Sequence, residues 1–179
     1  MAIRMKTNDK KRASTGFTLV EVVFATVIIS VGLLTLLAVF SQAVGTAQLA
    51  QDESIARAEA QRMIESVYSA RNTGQVAFVR FQNVSQDATN GMFLDGLKPM
   101  NDYGADGLPN TNDDASTIEI GPNGQPLSNF QRSVAFAPVY LSDGVTIDGN
   151  VRAVTVTIQY IVGNRTRTYS QQSYISTYR

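Results

Sequence analysis

The chain of 179 residues contains no cysteine, no histidine and no tryptophan. Without cysteine, neither a disulfide framework nor a thiolate metal site is available. With histidine missing too, the commonest general base, the strongest side-chain nucleophile and the usual zinc ligands are all absent. These absences argue against a hydrolase or a transition-metal enzyme, and no enzymatic activity is expected. Lysine plus arginine and aspartate plus glutamate balance at 15 each, but their placement is uneven. Arg4, Lys6, Lys10, Lys11 and Arg12 precede Gly16, opposed only by Asp9. Beyond residue 16 the side chains number ten basic against fourteen acidic, without a basic stripe, so no nucleic-acid partner is expected.

Charge is scarcest over residues 17–40, where Glu21 is the only ionisable side chain in 24 residues. At ~1.5 Å per residue a helix of that length spans roughly 36 Å, enough for a bilayer core of about 30 Å. The basic flank would lie on the cytoplasmic side. A secretory signal would have an apolar region of only about 7–15 residues, followed by a small-residue cleavage site, and nothing after Phe40 looks like one. A plain anchor leaves Glu21 unexplained. A carboxylate costs on the order of 2.5–3.5 kcal/mol at the bilayer centre and less near its edge, and such residues usually have a partner.

The stretch Gly16-Phe17-Thr18-Leu19-Val20-Glu21, with basic residues before it and the apolar run after it, closely resembles the start of type IV prepilins and type II secretion pseudopilins. The resemblance implies a leader of residues 1–16, cut after Gly16 by a membrane prepilin peptidase that also methylates the new N-terminus, Phe17. It implies that Glu21 is an assembly residue, its carboxylate meeting the Phe17 amine of a neighbouring subunit. A pair is far cheaper to hold in an apolar core than either charge alone. The chain would reside in the bacterial inner membrane before assembly and then in a pilus or pseudopilus, with other pilin or pseudopilin subunits as partners.

Helical pattern continues past Phe40. Leu49, Ala56, Ala60, Met63 and Val67 fall on one face, and no proline interrupts the run. Residues 17–44 therefore read as a hydrophobic membrane or filament-core helix and 45–75 as its amphipathic half. Glu53–Arg57, Glu59–Arg62 and Arg62–Glu65 are spaced as helix-surface pairs, read as solvated and without other partners. Residues 76–179 read as a globular head, with a sheet over 130–179. Val154, Val156, Ile158, Tyr160 and Val162 alternate onto one face, Gly163-Asn164 offers a two-residue hairpin turn, and "FQRSVAFAPVY" supplies a further strand. For residues 76–81 the pattern leaves strand and irregular extension open. The expected class is α+β: a long N-terminal helix packed on a small C-terminal antiparallel sheet. "SVGLL", an Arg-Ser-Val strand and a "VTVTIQY" strand resemble PilV-type minor pilins and the minor pseudopilin I of type II secretion.

Composition shifts to Asp, Asn and Gly over residues 101–114. With Asp102 as position one, Asp106 is five, Gly107 six, the Leu108 carbonyl seven, Asn110 nine and Asp113 twelve, offsets that match an EF-hand-type calcium loop. Gly104 stands at position three, where an oxygen ligand is expected, and Asp113 is shorter than the usual Glu. Those residue types are also the ordinary turn formers, so a calcium site and a solvated loop both remain open. A minor pilin is the leading functional reading, with a minor pseudopilin as its alternative. A non-polymerising, membrane-anchored, calcium-dependent binding module is the alternative of another class.

Overall fold

The structure, a computed structural model, describes residues 16–178. The leader expected at residues 1–16 therefore lies outside the described residues except for Gly16. One helix, α1 (Leu19–Thr73), is followed by a 3-10 turn (Phe78–Arg80) and four strands: β1 (Lys98–Pro99), β2 (Phe130–Tyr140), β3 (Ile147–Val162) and β4 (Arg165–Ser176). The strands form one antiparallel sheet in the order β1-β2-β3-β4. This is the α+β architecture expected from the sequence, a long apolar N-terminal helix and a small antiparallel sheet. The 3-10 turn resolves the open reading of residues 76–81. The chain divides into two compact units, residues 1–45 and 46–179.

In the first unit, side chains of α1 from Leu19 to Val44 are exposed on every side. A helix that is apolar all round belongs in a membrane or in the core of an assembly. Three of its hydroxyls turn back onto the helix itself. Thr26 donates to the Val23 carbonyl at 2.8 Å, Ser30 to Thr26 at 2.7 Å and Thr35 to Gly32 at 2.8 Å. The helix runs unbroken through Gly32 and Gly45, where no neighbouring atom would obstruct a side chain.

The second unit is built on the amphipathic half of α1. Ile55, Ala56, Ala60, Met63, Ile64 and Val67 share a core with Phe130, Val134 and Phe136 of β2 and Val154, Val156, Ile158 and Tyr160 of β3. The alternation read in β3 is the buried face of the sheet. Phe93 and Phe136 add ring packing at 4.7 Å between centroids. The two-residue turn pairs Val162 with Arg165 across Gly163-Asn164. Gly163 has φ +58° and Asn164 has no positive φ, as a type II′ turn requires.

Two of the helix-surface pairs behave differently from the expectation. Glu59 is buried, and Arg62 reaches beyond it to Glu119 while lying over the Tyr103 ring. Glu119 also meets Arg132, a fully buried arginine on β2. Glu59 and Arg62 are thus drawn into a charged cluster by residues distant in sequence, which helix spacing alone does not reveal. Arg62 forms no ion pair with Glu65, which instead accepts from Gln61 at 2.8 Å. Only Glu53–Arg57 remains an exposed pair, as read.

Both edges of β2 are occupied: β3 on one side, side-chain amides on much of the other. Registry places the outward backbone groups of β2 at even positions. Asn83 donates to the Val134 carbonyl and accepts from the Phe136 amide, both at 2.8 Å, and Gln86 donates to the Phe136 carbonyl. Asn110 donates to the Arg132 carbonyl at 2.9 Å. Pro138, next in the series, has no amide proton to satisfy. Asn83→Ala should destabilise the fold by about 2–4 kcal/mol, because a buried carbonyl and a buried amide both lose their partner. Chemical unfolding of the detergent-solubilised chain, followed by tyrosine fluorescence, measures this. A loss within about 0.5 kcal/mol, as for an ordinary surface change, would contradict the assignment.

Candidate functional site at the N-terminal helix start

The site begins where α1 begins. Thr18 stands just before the helix, and its carbonyl accepts the Val22 amide at 3.2 Å. Its hydroxyl accepts the Glu21 amide at 3.3 Å. These contacts make Thr18 the N-cap residue, satisfying one of the donors that every helix start leaves unpaired. The spacing Thr18-x-x-Glu21 is the capping-box signature, a local signal for this helix start carried by the sequence itself. Here the hydroxyl half of the box is formed. The Glu21 carboxylate is exposed, and no described basic group is paired with it. Its place in the first turn is electrostatically favourable, because the amino end of a helix carries partial positive charge.

Phe17 is 81% exposed, and Gly16 is exposed with nothing within 4 Å of where a Cβ would stand. The Gly16–Phe17 bond lies before the helix, in backbone that carries no helical or strand structure. A peptide bond outside regular structure is open to a protease in a way that helical backbone is not. Beyond it runs a single helix long and apolar enough to cross a membrane. The geometry thus puts an accessible bond, a capped helix start and an uncommitted carboxylate within six residues.

The Asp-rich loop is organised differently. Asp106 and Asp113 are brought together: the Asp106 amide donates to Asp113 at 3.0 Å, and Thr111 donates its hydroxyl to the other Asp113 oxygen at 2.6 Å. Asp106 accepts the Leu108 amide at 2.8 Å, and the Leu108 carbonyl accepts from Thr111 at 3.2 Å. Asp102 accepts the Thr117 hydroxyl at 2.6 Å. Asn110, buried at φ +62°, is held by both ends of its amide, donating to the Arg132 carbonyl and accepting from the Arg132 Nε at 3.1 Å. Among the described residues no group of three or more carboxylates is placed to hold a metal ion. Gly104 has a separate structural reason: a Cβ there would stand 2.3 Å from Asp113 Cγ.

Electrostatics in the loop follow from those contacts. Burial raises the Asp106 carboxyl, and the neighbouring Asp113 charge adds to the rise. The Thr111 hydroxyl lowers Asp113. A lowered carboxylate stabilises the fold above its unfolded pKa and loses that contribution as pH falls through the folded value. Thr111→Val should therefore reduce stability at pH 6, and the loss should shrink as pH falls through the folded-state value of Asp113, because the hydroxyl favours the ionised carboxylate. Unfolding of variant and parent across that pH range checks it, and a pH-independent difference would exclude the hydroxyl as the cause.

Comparison with known proteins finds the prokaryotic N-terminal methylation motif at residues 11–37. No curated protein and no solved structure matches the chain. The matched residues run from Lys11 and Arg12 through the Gly16–Phe17 bond, Thr18 and Glu21 into the apolar part of α1. That motif, on this capped and apolar helix start, marks the N-terminal segment as type IV pilin-like or pseudopilin-like.

Proposed function

We propose that the protein is a structural subunit, a minor pilin, of a type IV pilus, and not an enzyme. Prepilin peptidase cuts after Gly16 and methylates Phe17, and the mature chain waits in the bacterial inner membrane before it enters the filament. The observation that carries this reading is the uncommitted Glu21 carboxylate in the first turn of an apolar helix, with no described basic group paired to it. Cleavage places a positive amine four residues before that carboxylate. Along a stack of parallel helices, the amine of one subunit comes to the carboxylate of a neighbour. Removing one member of a buried ion pair costs about 3–5 kcal/mol, because the other charge stays behind without compensation.

Two measurements test this. Intact mass and N-terminal sequencing of protein from cell envelopes should give methyl-Phe17 as the first residue, and a mature chain beginning at Met1 or Ala2 would end the pilin reading. Glu21→Ala should reach the membrane normally but fall at least about tenfold in sheared filaments, from the loss of the pair. Thr18→Val, which removes a cap worth ~1 kcal/mol and leaves the charges intact, should be incorporated nearly as well as the parent chain. Equal incorporation of Glu21→Ala and the parent would show that the carboxylate has no assembly partner.

A further inference from the structure

The two outer edges of the sheet are treated unequally. Beyond the short β1, the β2 edge is closed by Asn83, Gln86 and Pro138. On β4 the outward backbone groups also fall at even positions, as the Tyr68 hydroxyl on the Tyr174 carbonyl at 2.7 Å and Arg71 on the Ser176 carbonyl show. Those α1 side chains cover only the C-terminal end of the strand. From Thr166 to Gln172 the outward amides and carbonyls have no partner among the described residues. An open edge of this kind is a template for another strand.

The open edge is also charged. Arg165 and Arg167 lie on it, β4 has no acidic residue, and Ile161 beside the turn is exposed. At the opposite end of β3, the β2–β3 hairpin carries the contrary character. Past a register shift at Pro138/Val139 its tip exposes Val145 at 80% and Ile147 at 54%, with Asp143 and Asp148 on either side. The Leu141 amide donates to the Thr146 carbonyl at 2.8 Å, so by alternation the Ile147 backbone groups point away from β2. One molecule therefore holds an open basic edge at one end of its long strand and, at the other, an acidic apolar tip where the Val145 amide is taken by Asp143 and the Ile147 backbone is left open.

We propose that the tip segment 145–148 of one copy adds along the open β4 edge of a second copy, head to tail, with Asp148 meeting the Arg165 and Arg167 charges. A contact between two different patches is heterologous, so it adds copies head to tail and propagates into a filament wherever its rotation does not close into a ring. Opposite charges set the direction of the addition, and the like charges of two β4 edges disfavour pairing them with each other. The proposal rests on the filament-subunit reading for its setting, although its test does not.

The test uses the full chain in detergent, where the lack of native cysteine leaves engineered thiols without competition. Ile147→Cys with Thr168→Cys in one chain should give a ladder of disulfide-linked dimers, trimers and longer species on mild oxidation, while Thr168→Cys alone stays monomeric. Arg167→Asp in the double-cysteine chain should lower ladder formation by about tenfold through like-charge juxtaposition, and adding Asp148→Arg should restore it. Circular dichroism and melting curves matching the parent confirm that each variant is folded. No ladder, a dimer from Thr168→Cys alone, or a ladder indifferent to Arg167→Asp would overturn the proposal. A ladder with an unprocessed Phe17 would leave this contact standing and remove the pilin reading. Processed Phe17 without a ladder would do the reverse.

Discussion

An amide, carbonyl or guanidinium taken out of water without a partner costs on the order of 1–3 kcal/mol, more if it is charged. That constraint decides most of the residue choices in this chain, because its helix is apolar enough for hydrocarbon and its sheet has little else to cover it. Thr26, Ser30 and Thr35 turn back onto their own helix. Asn83 occupies the place a neighbouring strand would take on β2, offering one acceptor and one donor at strand spacing. Tyr68 and Arg71 do the same at the end of β4 and thereby tie the last turns of α1 to the sheet.

Arg132 shows the same constraint under strain. Burial lowers its guanidinium pKa, while Tyr103, Asp114 and Glu59 oppose that shift. It lies over Tyr103 at 5.4 Å, is fully buried, and shares Glu119 with Arg62. One nitrogen, Nη2, has no hydrogen-bond partner, and Oε2 of buried Glu59 is met by the Arg62 guanidinium at 3.1 Å as an ion pair without hydrogen-bond geometry. Attraction between the two residues compensates in part for what hydrogen bonding does not supply. The cluster draws together α1, β2 and the segment around Tyr103 and Glu119. It gives the helix a fixed register on the sheet that apolar packing of Ala56, Ala60 and Met63 alone would specify less sharply.

How much of this was legible in the sequence depends on the range of the interaction. The apolar run of α1, the alternation from Val154 to Tyr160 and the Gly163-Asn164 turn are local patterns, and each is where its period placed it. The Phe17–Glu21 site is legible for the same reason, and the capping role of Thr18 lay in a four-residue signature. Arg132 sits in Phe130-x-Arg132-x-Val134-x-Phe136, so strand alternation puts it on the buried face; what it meets there is invisible locally, because Glu119 and Asn110 arrive from irregular backbone. The amide clamp of Asn83 spans 51 residues to Val134, and nothing near Asn83 announces it. β1, two residues long, carries no period at all. In the Asp-rich loop, spacing alone could not tell oxygens aimed at an ion from oxygens accepting Thr and backbone donors, because both arrangements use the same turn residues.

Against a background of internal satisfaction, the groups left open become informative. In a complete capping box the glutamate side chain would reach back to the Thr18 amide and be spent there. Thr18 supplies its half through the hydroxyl, which holds the helix start without drawing on the Glu21 charge. A threonine at the cap and a glutamate three residues on thus divide two tasks that one residue could not perform together. The first fixes the geometry of the helix start. The second leaves a charge exposed on the first turn, where the positive end of the helix dipole favours it and no described basic group occupies it. The unpaired β4 edge has the same logic in backbone form: a chain that closes the β2 edge with two amides and a proline has the means to close the other, and leaves it open between Thr166 and Gln172.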